Sequence, residues 1–192
     1  MIDAIEQPQP NPKLVPAPEL RERYMAADKG YFSLADEIGS LSDDDITDYT
    51  APFIAGLLLS RRIEFNYLYN HVIEDLISEE HVDEKSLKWA KDHRVYVGEI
   101  HQILIDAKRG DFTSLKQFIK EESDVFSDME ADEEEKQLEE KWKRNSEKLA
   151  LVAERLPNGG DGSTVKAPSP AWMEEPTPLR IQLQMLKEGQ AK

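Results

Sequence analysis

The chain has 192 residues, no cysteine and a formal net charge of −15, from 39 acidic and 24 basic side chains. Without cysteine there is no disulfide, no thiol nucleophile, no thiolate zinc site and no iron–sulfur cluster. The negative balance repels nucleic-acid and membrane phosphates, so nucleic-acid contact has no support from bulk charge and would need a local basic patch.

Apolar residues make up 39% of the chain, enough for a modest core with some of the chain left outside it. Residues 1–17 read as a flexible arm, because Pro8, Pro10, Pro12 and Pro16 each fix φ and remove a backbone donor. Met1–Glu6 has neither the basic nor the apolar region of a signal peptide. The longest apolar stretch, Ala51–Ser60, is about half of the roughly 20 residues that span a bilayer. A cytoplasmic protein without membrane contact is therefore expected.

A helical body is expected over residues 18–156. Pro18 suits the first position of a helix, and helix formers follow from Glu19 to Lys29, up to Gly30. A second short helix fits Tyr31–Ile38, closed by Gly39. Ser42 stands three before Asp45, a capping pattern that predicts a helix start, and Pro52 either kinks that helix or starts another. From Phe53 to Ile77 the apolar residues Ile54, Leu58, Phe65, Leu68, Val72 and Leu76 recur at helical spacing. Asp83 could cap the next helix, Leu87 to Arg109, whose stripe includes Trp89, His93, Tyr96, Ile100, Ile103 and Leu104 and which Gly110 closes. Together these predict a long antiparallel hairpin over 53–109.

Thr113 is expected to cap a shorter helix carrying Leu115, Phe118, Ile119 and Phe126, and Ser127 with Glu130 a last helix running to Leu156. The last helix carries a seam of Leu138, Trp142, Asn145, Leu149, Val152 and Leu156 in alternating steps of four and three, with a polar residue in the middle. Pro157–Ser163 is a Gly-rich linker that opens a flexible tail over 157–192. The fold class expected is all-α: the hairpin, flanking shorter helices, and disordered tails at both ends.

Chemistry-bearing patterns are few. Asp43–Asp48 resembles the start of a calcium loop, but the sixth position is Asp48 where glycine is needed and the twelfth is Ile54 where a bidentate Glu is needed. The series from Asp128 reaches Glu139 at twelve with Glu133 at six, so it fails too. No Glu stands three before any histidine, and neither a Gly-x-Ser-x-Gly elbow nor a P-loop occurs. No catalytic residue, metal ligand or cofactor is assigned, and a non-enzymatic protein is expected.

Three features remain, each with a plain reading beside a functional one. Residues 121–140 hold eleven acids and one base, read as a solvated helix face or as a nucleic-acid mimic. Arg61 and Arg62, and Lys141, Lys143 and Arg144, could touch phosphate or balance nearby acids. Trp172 and Met173, followed by the amphipathic Leu179–Lys187 with Leu179, Leu183 and Leu186 on one side, have the shape of a tethered segment that docks on a partner or folds back on its own core.

The order of these parts resembles the phage terminase small subunits with a helical body. The correspondence is carried by the arm and helix start at Pro16–Glu19, the acidic Leu41-Ser42-Asp43-Asp44-Asp45, the hairpin Phe53–Arg109 and the tail after Pro157. The resemblance implies a ring-forming packaging adaptor in the host cytoplasm that recognises viral DNA and regulates a large motor subunit. In it the hairpin face of Leu58, Phe65, Leu68, Val72, Tyr96, Ile100 and Ile103 would be the assembly surface. Residues 1–52 depart from that pattern, with eleven acids and four bases where a basic DNA-reading motif would stand. Two other classes fit the composition: an acidic scaffolding or assembly chaperone, and a DNA-mimic inhibitor.

Overall fold

A computed structural model of the chain describes residues 17–78, 97–131, 135–158 and 178–190. The fold is all-α. Its helices are α1 (Ala17–Gly39), α2 (Ala51–Ser78), α3 (Val97–Lys108), α4 (Thr113–Ser127), α5 (Lys136–Arg155) and α6 (Leu179–Gln190), with a 3-10 turn at Asp43–Asp45. No helix among the described residues is long and apolar enough to cross a membrane.

The two helices expected before Gly39 are one. Ala27, Tyr31, Leu34, Ala35 and Ile38 form a single buried stripe that runs through Gly30. Burying that stripe outweighs the ~1 kcal/mol a mid-helix glycine costs. The helix expected from Ser42 does not form. The Asp45 carboxylate accepts from the Ser42 N–H (3.3 Å) and hydroxyl (2.7 Å), which closes only a short turn. Thr50 Oγ1 then donates to the Asp45 carbonyl at 2.6 Å, so a side chain occupies the acceptor that would have carried a helix onward. The next helix starts afresh at Ala51, with Pro52 in its first turn, where a missing N–H costs nothing.

α1 and α2 run antiparallel. Tyr24 meets Phe65 (5.3 Å between ring centres) and Tyr69 (6.0 Å), and about two helical turns further along α1, Tyr31 meets Phe65 at 6.5 Å. Among the described residues α2 pairs more extensively with α1 than with α3, its expected hairpin partner. The most extensive pairing of all is α4 with α5, and α1 also lies along α5.

α3 ends as expected. Gly110 takes a positive φ of 89°, its N–H reaches the Ala107 carbonyl (3.1 Å), and the Asp111 N–H reaches the Asp106 carbonyl (3.0 Å). This satisfies two carbonyls that the helix end would leave orphaned. The N-cap position of α4 is Phe112 rather than Thr113, and the Asp111 carboxylate just before it accepts the Thr113 N–H at 3.0 Å. Ser127 ends α4 rather than opening the last helix, which starts at Lys136. Asp83, Trp89, His93 and the Gly-rich linker after Asn158 lie outside the described residues.

One core joins the six described helices. It contains Ile38, Leu58, Ala107, Ile119, Leu149 and Leu183, one from each. Leu149, Val152 and Leu156 are buried in it and Trp142 packs at its edge, so the seam expected on α5 does face inward.

Candidate functional site

Three places in this bundle concentrate polar groups. The first is a buried cluster where α1, α2 and α4 meet. The buried stripe of α4 reads Leu115, Phe118, Ile119, Glu122, Phe126, so a carboxylate occupies a core position. Glu122 is 5% exposed. The Tyr31 hydroxyl donates to its Oε2, and Arg62 Nε lies 3.6 Å from its Oε1. The Arg62 guanidinium is stacked between two rings, 5.2 Å from the centre of Tyr31 and 5.6 Å from that of Phe65. Burial pushes the Glu122 carboxyl up to about 7 and pulls the Arg62 pKa down, because both charged forms have lost water. Phe126 stacks on Tyr31 at 6.3 Å and closes the aromatic wall.

The second place is an open cleft of about 1150 Å³ between α3, α4 and α5. Ile103, Phe118 and Ala153 form its floor, with Glu99, Lys120 and Glu154 on its rim. Glu121 faces this cleft, whereas its neighbour Glu122 faces the core. The carboxylate whose pKa burial has changed is thus turned away from the open space.

The third is the acidic turn after α1. Basic side chains from the far end of the chain converge on it. Lys148 pairs with Asp43, Arg155 with Asp48 (3.5 Å) and Lys187 with Asp45 (3.0 Å). The Ser42 and Lys187 hydrogen bonds hold the Asp45 carboxyl below its ordinary pKa. Nearby, Asn145 on α5 is buried and donates to Asp36 Oδ1 at 2.8 Å, and Lys141 pairs with Asp36 Oδ2 at 2.6 Å.

The residues singled out from the sequence fall out as follows. Leu58 and Leu68 are buried within the single chain, so they cannot themselves form a face between subunits. Phe65 is partly covered by Tyr24 and Tyr31, while Ile100 and Ile103 pack at the edge of the core. Val72 lies on α2, and Tyr96, Trp172 and Met173 lie outside the described residues. Of the basic residues, Arg61 pairs with Glu64 (3.2 Å), Arg62 with Glu122 and Lys141 with Asp36. These three are engaged within the chain, in line with the plainer reading, and Lys143 and Arg144 are exposed on α5.

Of the two readings of Leu179–Lys187, docking on a partner or folding back on the chain's own core, the single chain adopts the second. Leu179 and Leu183 are 1% and 2% exposed, both in the chain's own core, and Leu186 is half-buried. The Glu37 carboxylate accepts the Leu179 N–H and Arg180 donates to the Ser40 carbonyl at 2.6 Å. The apolar face that the sequence reading offered to a partner fills a seat on α1. Leu183→Asp is therefore expected to release α6, because it places a carboxylate in a site that burial of a leucine stabilises by about 2 kcal/mol. Limited trypsin digestion should then cut at Arg180 and Lys187 at least tenfold faster, with little change in the unfolding midpoint of the body. Equal cutting rates in the two proteins would show that α6 is not held by that side chain.

Tyr31 is not singled out from the sequence, and Glu122 reads there with the acidic run 121–140 as part of a solvated face or a nucleic-acid mimic, whereas it is buried. The signal is that Glu122 interrupts an apolar i, i+3/i+4 stripe, where a charge is unusual without a partner. No family model matches the chain, and the comparisons with curated proteins and with solved structures find no similar protein.

Proposed function

We propose that this chain is a non-enzymatic helical adaptor that self-associates and binds a protein partner, with the phage terminase small subunits as the named example. The observation that carries this reading is the outer side of α6. Leu179 and Leu183 fill the core, yet Ile181 and Met185, one helical turn apart, are 49% and 65% exposed. A helix with apolar side chains on two sides is short of one covering surface. The same helix sits beside the acidic turn, so it offers an apolar pair next to a charged edge, the usual make-up of a protein–protein contact.

The packaging part of the reading is supported by the order of parts: a proline-rich N-terminal sequence, a helix, the acidic Leu41–Asp45 turn and the long α2. In this role the chain would organise a motor subunit rather than perform chemistry. DNA contact would fall to Lys143 and Arg144, since Arg61, Arg62 and Lys141 are committed to acids.

The test is the absolute mass of the intact chain by light scattering on a sizing column, for the natural sequence and for the double variant Ile181→Asp, Met185→Asp. The expected result is one multi-subunit species that falls to a smaller mass in the variant, while the helical circular dichroism signal is kept. A natural chain that stays monomeric up to about 100 μM, a concentration at which an interface of ordinary affinity is filled, would overturn the proposal.

A further inference from the structure

Residues 179–190 make a helix of a length that is marginal in water by itself, so α6 exists as a helix because it has a seat. That seat is small and local. Two leucines enter the core, Glu37 accepts the first N–H, and Arg180 and Lys187 reach Ser40 and Asp45. A groove of about 520 Å³ stays open between α6 and Ser40–Asp45. The charges also match: α6 contributes Arg180 and Lys187 against one Glu188, and the seat contributes Glu37 and Asp45.

The sequence joining α6 to the body is far longer than the return trip requires. Leu156, at the end of α5, and Leu179, at the start of α6, belong to the same core. Residues 157–178 stand between them in sequence, and a chain of that length reaches about 70 Å when extended and about 25 Å when relaxed. A neighbouring copy's seat lies within such a reach in any compact assembly of this bundle.

We infer that in the assembled protein α6 exchanges between copies, each subunit's α6 occupying the Glu37–Asp45 seat of a second copy. The inference rests on the self-associating adaptor reading above. The seated contacts are the same whether the helix comes from the same chain or from another, so the choice turns on local concentration and on what the exchange adds. Assembly supplies the concentration. The addition would be cover from the donor copy's body for Ile181 and Met185, which are exposed when the helix sits on its own chain. Net repulsion between chains of charge −15 is offset where Arg180 and Lys187 of one meet the acidic turn of the next.

The Lys187–Asp45 pair, at 3.0 Å, provides the test. Equal amounts of natural-abundance and ¹⁵N-labelled full-length chain are unfolded together, refolded and treated with a carbodiimide, which joins that amine to that carboxylate without a spacer. The digest is read by mass spectrometry, and the mass of the uncross-linked sample by light scattering. Exchange predicts that about half of the Lys187–Asp45 products are light–heavy hybrids, the fraction for random partnering. An oligomer whose products are all-light or all-heavy overturns the exchange and leaves the adaptor reading standing. A monomer overturns both. No Lys187–Asp45 product at all means an unseated helix, which overturns the exchange as well.

Discussion

Gly39→Ala is expected to destabilise the protein by about 3 kcal/mol, seen as a fall of roughly 6–12 °C in thermal midpoint. A methyl group on Gly39 would stand 1.9 Å from Asn145 Oδ1 and 3.3 Å from the Asn145 Cα. Rotating the amide away relieves the first contact but breaks its hydrogen bond to Asp36. The second contact is backbone, so α1 and α5 would have to part where they cross. Overpacking of this kind costs about 1–3 kcal/mol, and a buried amide left unpaired costs a similar amount. Gly30→Ala is the matched control. Nothing lies within 4 Å of the added carbon there, so the expected result is a gain of about 0.5–1 kcal/mol. Urea unfolding followed by circular dichroism reads both. Equal behaviour of the two variants would mean that the two helices do not approach at Gly39.

Glu122→Gln is expected to remove a pH dependence. Burial raises the Glu122 carboxyl to about 7 in the folded chain, against about 4.3 in an unfolded one. Between those values the folded protein holds a proton that the unfolded protein has released. Stability from this group is therefore complete below about pH 4.3 and falls as pH rises, levelling off above about 7. The loss is at most about 4 kcal/mol, at 1.36 kcal/mol per unit. Glutamine keeps an acceptor for the Tyr31 hydroxyl and cannot ionise. The ion pair with Arg62 forms only as the carboxyl loses its proton, so its contribution is already contained in the raised value and disappears with the titration in the variant. The natural protein should thus lose stability relative to the variant between pH 5 and 7.5 in urea titrations. Parallel pH profiles would show that the carboxyl is solvated.

Much of the fold could be read from residue pattern, because helical spacing reports which side chains must leave water. The α5 seam with Asn145 in its middle, the Gly110 stop and the stripe of α2 all follow from that rule. The same rule says nothing of what lies opposite a stripe. The stripe of α2 suggested α3 as partner, yet α1 lies along it too, since Tyr24 and Tyr31 supply rings at the right height. Leu179 and Leu183 announced a buried face, but a groove on another molecule and one at home leave the same pattern. Boundaries failed where side chains compete with the main chain. Ser42 with Asp45, and Ser127 with Glu130, both fit a capping pattern. The first closes a 3-10 turn because Thr50 takes the Asp45 carbonyl, and the second falls at the end of α4.

The partners of the acidic turn have a consequence in time. Asp36 is satisfied by Asn145, 109 positions downstream, Asp43 by Lys148 and Asp45 by Lys187, 105 and 142 positions away. At roughly 5–20 residues per second, a ribosome needs on the order of ten seconds to make that much chain. During that interval the newborn α1–α2 pair carries an uncompensated run of aspartates. Its inner side, with Ile54 and Leu58, has not yet met Leu149 or Val152. The α1–α2 pair is thus born as an open hydrophobic surface in need of shelter, and it becomes a finished core only when α5 and α6 have been translated.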